Sequence, residues 1–361
     1  MKYNKIRDSS LTNYKKELCD YLEFISEAVE LEDIWTLDKA VEIEKKKSFV
    51  RGILRYSPES IKLTKKLRDI IKSKFNFSNN LKWITLPYPM IHLGGDLVES
   101  LGGFHFDHNL NDKKNFFTLW TQITNYEYSS LSLVNENIFI NLFPKLFLKS
   151  GLLNFFSKKL TTNMDYIYLW GGNQIHKGNF NSSSKKSCAI QLKITEDIYE
   201  FEQVQSLNHN RKFNETYCKY RKDELKNLYK EYSKIIDKIL NYKFDDDVFN
   251  LVCKLLINLK KNMCLSFAFS VFSQRVFSTN KLFQIENLEK KIQALDSISL
   301  LTGSANLICL KRLESTMNLS INEIFQNLKL IDKLKCMPYE TCHLNKILKV
   351  KNYNNYKKFD F

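Results

Sequence analysis

Gly103-Phe104-His105-Phe106-Asp107-His108, joined some seventy residues later by Ile175-His176-Lys177-Gly178, is the stretch on which the reading of this chain turns. The sequence holds six histidines, and three of them (His105, His108 and His176) fall in these two places. On a strand, alternate side chains point the same way, so His105 and Asp107 share one face while Phe106 and His108 share the other. Ligands at i and i+2 can grip one ion without distorting the backbone, and His176 must then come from another strand or its end. Two imidazoles and one carboxylate on one face of a first-row divalent ion, with the other positions open, form the ligand set of non-haem iron(II). A His-x-Asp pair with a distant His also arises by chance, so the surrounding segments carry the decision.

Those segments read as strands. Lys82–Leu86 and Met90–Leu93 are extended, with Pro87 and Pro89 marking an edge strand or a bend. Gly94-Gly95-Asp96 reads as a turn. Gly103–His108, Phe117–Asn125, Ser130–Val134, Tyr166–Trp170 and Ser187–Thr195 follow, and Gly171-Gly172-Asn173 turns the chain ahead of His176. Many short strands separated by turns predict a sandwich or barrel. Helical periodicity flanks them on both sides. Leu18, Tyr21, Leu22, Ile25 and Val29 recur at helical spacing within residues 11–76, and Ser57-Pro58-Glu59 reads as a cap with Pro at the first helical position. After about Asp197 the pattern is helical again, with Val252, Leu255, Leu256 and Leu259 on one face and Ile321, Ile324, Phe325 and Leu328 on another.

Residues 81–195 resemble the phytanoyl-CoA dioxygenase-like family of iron(II)/2-oxoglutarate-dependent oxygenases. Gly103-Phe104-His105-Phe106-Asp107 is similar to that family's Trp/Phe-His-x-Asp strand. Thr118-Leu119-Trp120-Thr121-Gln122-Ile123 is similar to its Trp-Ile-Pro-Leu strand, followed by Ser130-Leu131-Ser132-Leu133. Tyr166-Ile167-Tyr168-Leu169-Trp170 matches the strand leading to the distal His. His176-Lys177-Gly178-Asn179-Phe180-Asn181-Ser182-Ser183 is similar to its His-x-Gly/Ser-x-x-Asn-x-Ser segment. The resemblance implies an α+β chain whose core is a double-stranded β-helix, a jelly-roll or cupin-like barrel. The expected organisation is an N-terminal helical segment (1–80) packing on the barrel, a catalytic core (81–200) with a helical insertion at about 138–160, and a helical C-terminal region (201–361).

The resemblance further implies iron(II) held by His105, Asp107 and His176, with 2-oxoglutarate as co-substrate, molecular oxygen as oxidant and a small molecule as the hydroxylated substrate. Asp107 matters twice, because the halogenases similar to this family replace that carboxylate with a small residue. Trp120 and Gln122 share a strand face and are expected in the pocket, and Asn181 in the co-substrate region. One departure stands out. The family carries an Arg about eleven residues beyond the distal His, where its planar fork pairs with the far carboxylate of 2-oxoglutarate. Ser187 occupies that place here, with Lys185 and Lys186 just before it and Lys193 further along. Lys186 is expected to take the role if the register slips by one, with Lys185 beside it. Alternation groups Lys186 with Ile190 and Leu192, and Ser187 with Gln191 and Lys193; the sequence leaves open which set looks inward.

Composition bounds the alternatives. The net charge of +15 suits an acidic partner, but the basic residues are spread along the chain rather than striped on one element, which disfavours a dedicated nucleic-acid surface. The abundance of Lys, Asn, Ile, Phe and Tyr beside 10 Gly and 5 Pro is also what an AT-rich coding sequence gives. Eight cysteines lie scattered without a framework, Cys336-x5-Cys342-His343 lacks a second ligand pair, and Met1–Glu30 does not read as a signal peptide. Free thiols and a cytoplasmic location are therefore expected. No run of about 18 apolar residues predicts a membrane span. The insertion carries Phe139, Phe143, Phe147, Phe155 and Phe156 among Lys145, Lys149, Lys158 and Lys159; packing on the barrel is the first expectation, then a lid, then peripheral membrane contact, which Pro144 and Gly151 disfavour by breaking any single long helix, and the sequence does not fix the oligomeric state. A metal-binding β-barrel without this catalysis and a basic binding protein are the competing readings.

Overall fold

The computed structural model describes residues 3–75, 82–83, 87–96, 104–105, 116–124, 131–135, 152–161, 163–172, 174–195, 219–241 and 262–276. Strand β1 (Asn4–Arg7) and a 3-10 turn at Ser9–Leu11 lead into helices α1 (Thr12–Ala28), α2 (Ala40–Arg55) and α3 (Pro58–Lys74). The predicted periodicity holds: Leu18, Tyr21, Leu22 and Ile25 form the buried face of α1. The predicted cap holds too, since the Ser57 hydroxyl accepts the Ser60 N–H at 3.1 Å and Pro58 opens α3.

The strands are β2 (Lys82–Trp83), β3 (Tyr88–His92), β4 (Phe116–Gln122), β5 (Leu131–Val134), β6 (Ser157–Lys159), β7 (Tyr166–Gly171), β8 (His176–Gly178) and β9 (Ser187–Thr195). They form two sheets whose ladders are antiparallel. The larger runs β1-β7-β4-β9, and the free side of β9 is completed by β2 and β3, one after the other. Pro89 therefore sits on an edge strand, as a residue without an N–H should. The smaller sheet runs β6-β5-β8. Short helix α4 (Leu153–Phe156) precedes β6, so the end of the stretch read as helical at 138–160 is a strand, while residues 138–151 lie outside the described residues. Ser157–Lys159 instead pairs with β5, because the backbone groups on that side of β5 need ladder partners. The architecture among the described residues is mixed α+β with antiparallel sheets and no closed barrel.

The large sheet is buried on both faces. Ile91, Leu119, Ile167, Leu169, Cys188, Ile190, Leu192 and Ile194 pack with α1–α3 in the main core. The opposite face contributes Trp120, Tyr168, Trp170 and Ala189 to a second cluster with Leu131, Leu133 and Leu160 of the small-sheet region. Helices, large sheet and small sheet thus stack in that order. Helices α5 (Lys222–Asn241) and α6 (Met263–Val276) join the helical layer, with Leu225, Tyr232, Ile236, Phe269 and Phe272 in the main core. Helix α6 crosses α2 so closely that a Cβ on Gly52 would lie 2.3 Å from the Cys264 carbonyl oxygen.

A polar seam fixes α2 to the edge strand. The fully buried Lys47 ammonium pairs with Glu44 at 3.1 Å and with Asp96, while Arg51 donates to the Ile91 carbonyl at 2.9 Å. The predicted turn before Asp96 is present, with Gly95 at φ +74°, a value that suits glycine. No helix among the described residues is long and apolar enough to cross a membrane. The apolar faces read at 252–259 and 321–328, and the Cys336–His343 cluster, lie outside the described residues.

Candidate metal centre

The two candidate histidine ligands meet as cross-strand partners. His105 and His176 exchange both backbone hydrogen bonds, His105 N–H to His176 O at 2.9 Å and His176 N–H to His105 O at 3.1 Å. Directly opposed residues of an antiparallel pair put their side chains on the same face. Their ring centroids lie 4.5 Å apart. His105 is exposed and His176 is buried.

The face is set by β8. His176 lies in register with Leu133, which belongs to the cluster between the sheets, and its ring is 5.7 Å from that of Trp170 on the large sheet. Ile175, its neighbour, points the other way and packs with Val134, Leu153 and Phe104. The Phe104 and His105 side chains therefore separate as strand alternation predicts. Asp107 and His108 lie outside the described residues, and among the described residues no three His, Cys, Asp or Glu side chains gather to hold a metal.

The His176 ring is oriented from behind. Its Nδ1 lies 3.0 Å from the Gln174 main-chain carbonyl oxygen, an acceptor, so this contact favours the tautomer protonated on Nδ1. Gln174 is itself clamped, since its amide nitrogen donates to the Val134 carbonyl at 2.6 Å and to that of Ile175 at 3.1 Å. Gln174 has no counterpart among the sequence-predicted residues. Only a side chain placed two residues before a ligand could have suggested it.

The register of the large sheet settles which face of β9 looks toward the histidines. Cys188, Ile190, Leu192 and Ile194 enter the helical core, while Ala189 enters the cluster between the sheets, with Gln191 and Lys193 on its side by alternation. Trp170 opposes Thr118 on β4, and Thr118 opposes Lys193 on β9. The Lys193 ammonium donates to the Thr118 hydroxyl at 2.7 Å. Lys193 thus lies two strand spacings, about 10 Å, from Trp170, in the row that contacts His176. The only sequence signal for it was the alternation along Ser187–Thr195.

Lys186 is placed elsewhere. Its ammonium is buried between the carboxylates of Asp33 and of Glu23 on α1, each at 2.7 Å. Burial alone would favour the neutral form, but the hydrogen bonds to Asp33 and Glu23 prevail and raise its pKa. Lys185 is exposed, and its carbonyl accepts the Asn181 amide at 2.8 Å. Asn181 also donates to the His92 carbonyl at 3.1 Å, while its side-chain oxygen accepts the N–H and the hydroxyl of Ser183. Asn181 therefore organises the loop between β8 and β9.

Trp120 and Gln122 do line the space between the sheets. Both are buried, and the Trp120 ring packs 5.9 Å from that of Tyr168. The indole N–H groups of Trp120 and Trp170 are buried with no acceptor among the described residues. Tyr168 closes the floor, its hydroxyl donating to the Thr161 carbonyl at 2.6 Å and its pKa pushed up to about 12 by burial. The described residues therefore bring together an exposed and a buried histidine, an aromatic floor and, on the large sheet, Lys193.

Comparison with protein-family models gives no match, and no curated protein matches the chain.

Proposed function

We propose that this protein is a non-haem iron(II)- and 2-oxoglutarate-dependent oxygenase acting on a small molecule, built on a double-stranded β-helix. The observation that carries the reading is the His105–His176 pair, two imidazoles on one face of adjacent strands with their rings 4.5 Å apart. That donor set fits a first-row divalent ion, and Asp107, two residues from His105 in sequence, is the carboxylate proposed to complete it. Two antiparallel sheets packed face to face, with the pair on an inner face, support the fold assignment.

Iron held there would supply the redox and Lewis-acid chemistry that couples oxidation of 2-oxoglutarate to succinate with oxidation of the substrate. The rest falls to the chain's own residues. The Gln174 carbonyl favours the His176 tautomer protonated on Nδ1, in which Nε2 would be the metal-binding nitrogen. Lys193, steadied by Thr118, provides the cation for the far carboxylate of 2-oxoglutarate, a role the position of Lys186 does not favour. As an ammonium it offers one point charge where an Arg would offer two parallel donors. Trp120, Tyr168 and Trp170 exclude water from the floor, and the exposed side of His105 leaves a way in for oxygen and substrate. The free thiols of Cys19, Cys188 and Cys264 accord with a reducing compartment such as the cytoplasm.

The test is anaerobic loading with iron(II), followed by titration with 2-oxoglutarate. A metal-to-ligand charge-transfer band is expected, and succinate release under air should follow. Absence of the band in a protein that binds iron would reject the reading. It would favour a metal-binding protein without oxygenase chemistry, which the lack of an Arg on β9 also suits.

A further inference from the structure

We propose that the tip formed by α4 and the start of β6 docks on an anionic lipid surface, with Leu152, Phe155 and Phe156 entering the interface and Lys158 and Lys159 meeting the headgroups. Phe155 is 86% exposed, Leu152 50% and Phe156 38%. A single exposed apolar residue is ordinary. These three occur at i, i+3 and i+4, the spacing of one face of a helical turn, and so form a patch.

The patch is presented rigidly. Leu153, on the opposite side of the turn, is fully buried with Val134 and Ile175. Asn154 accepts the Lys177 ammonium at 2.5 Å, tying the turn to β8. The fold therefore spends an ordered turn on holding two phenylalanines in water, which costs stability unless an apolar phase receives them.

Charge selects the occupant. Lys158 and Lys159 follow the patch directly, and both are exposed. From residue 137 to 164 the sequence has no Asp or Glu, while it has Lys145, Lys149, Lys158 and Lys159. Apolar insertion and a local cationic rim are the two signals that together give stable, reversible binding to membranes rich in anionic lipid. The position also has a consequence for the site. Lys158 opposes Leu133, and Leu133 opposes His176, so the docked edge and the histidine pair belong to one three-stranded sheet.

The test uses the full-length, metal-free chain and sedimentation with vesicles of phosphatidylcholine alone or with about a third phosphatidylserine. Binding is expected with the anionic vesicles and should weaken as salt rises. Phe155→Ser should lower the partition constant about tenfold or more, from the loss of most of one buried phenylalanine. Lys158→Glu with Lys159→Glu should abolish the preference for phosphatidylserine. Both changes lie at exposed positions, so circular dichroism and thermal unfolding should match the unsubstituted chain. No sedimentation with anionic vesicles, or binding indifferent to both variants, overturns the proposal. So does a wild-type dimer that Phe155→Ser converts to monomer, since the patch would then be covered by a second copy. Iron and 2-oxoglutarate play no part in the assay, so its outcome is independent of the oxygenase reading.

Discussion

Replacing Lys193 and Lys186 separately by Met should split two properties that the sequence alone could not separate. Lys193 lies on the face of β9 turned away from the helical core, where it donates to the Thr118 hydroxyl at 2.7 Å. A charge-assisted hydrogen bond to a carboxylate is worth about 1.5–3 kcal/mol, so Lys193→Met should raise the 2-oxoglutarate Kd roughly 10- to 150-fold. Loss of the bond to Thr118 should cost about 1 kcal/mol of folding stability, the value of one ordinary side-chain hydrogen bond. Lys186 reverses the balance. Its side chain is 7% exposed and engages two carboxylates, themselves 41% and 44% exposed. Water screens those carboxylates, so Lys186→Met should cost about 1–3 kcal/mol, less than a fully buried ion pair, and lower Tm by a few degrees. Its 2-oxoglutarate Kd should not move. The assay is titration of the charge-transfer band at fixed iron(II), paired with urea unfolding of the same samples. Lys193→Arg should keep most of the affinity. If Lys186→Met weakens 2-oxoglutarate binding more than Lys193→Met does, the assignment of faces on β9 is wrong as a guide to function.

Further expectations rest on other parts of the molecule. Gln174→Ala keeps the main-chain carbonyl that meets His176 Nδ1 but removes the side-chain amide that ties Gln174 to the Val134 and Ile175 carbonyls, so the support of the ring should loosen and iron(II) affinity fall about 10-fold, measured by anaerobic dialysis, with the fold kept. Equal affinity would show that the His176 ring needs no such support. Lys15 is fully buried, and burial lowers its pKa from 10.5 to about 7, although nearby Asp165 opposes the shift. The folded chain then binds fewer protons than the unfolded one between about pH 7 and 10, so stability should rise over that window by something on the order of 4 kcal/mol. Lys15→Met should flatten this slope and stabilise the protein at pH 6, because the Tyr166 carbonyl keeps its hydrogen bond from Thr121; a variant less stable than wild type at pH 6 would contradict this. Gly52→Ala should force α6 away from α2 and cost about 1–3 kcal/mol in urea unfolding.

The sequence was informative where physical constraints act locally. The Ser57 cap, the edge position of Pro89 and the bounds of Ser187–Thr195 all follow from one residue's hydrogen-bonding needs or from simple periodicity, and the structure has them. The meeting of His105 and His176 was legible only as a hypothesis, because strand pairing across seventy residues is set by the whole sheet. The strand Ser157–Lys159 was missed for a related reason. Nothing in Ser-Lys-Lys favours a strand, and the pairing is imposed by the otherwise unpaired side of β5.

The lysine proposed to anchor 2-oxoglutarate illustrates how motif position and strand face can point to different residues. Position along the chain pointed to Lys186, adjacent to the place where the resembling family carries its Arg. Face points to Lys193. On an ordinary two-layer sheet, the apolar set of β9, Cys188, Ile190, Leu192 and Ile194, would look toward the core, and the polar set, Ser187, Gln191 and Lys193, toward water. Here a second sheet covers the polar side, so the half-buried Gln191 and Lys193 face protein as well. A strand with polar residues on a covered face has two explanations, internal pairing or a ligand. Lys193 donates to the Thr118 hydroxyl at 2.7 Å, on the face of β9 that also sends Ala189 into the cluster between the sheets. On the proposed reading, a carboxylate of 2-oxoglutarate brought to that face would meet the ammonium of Lys193 rather than that of Lys186, which Asp33 and Glu23 already engage.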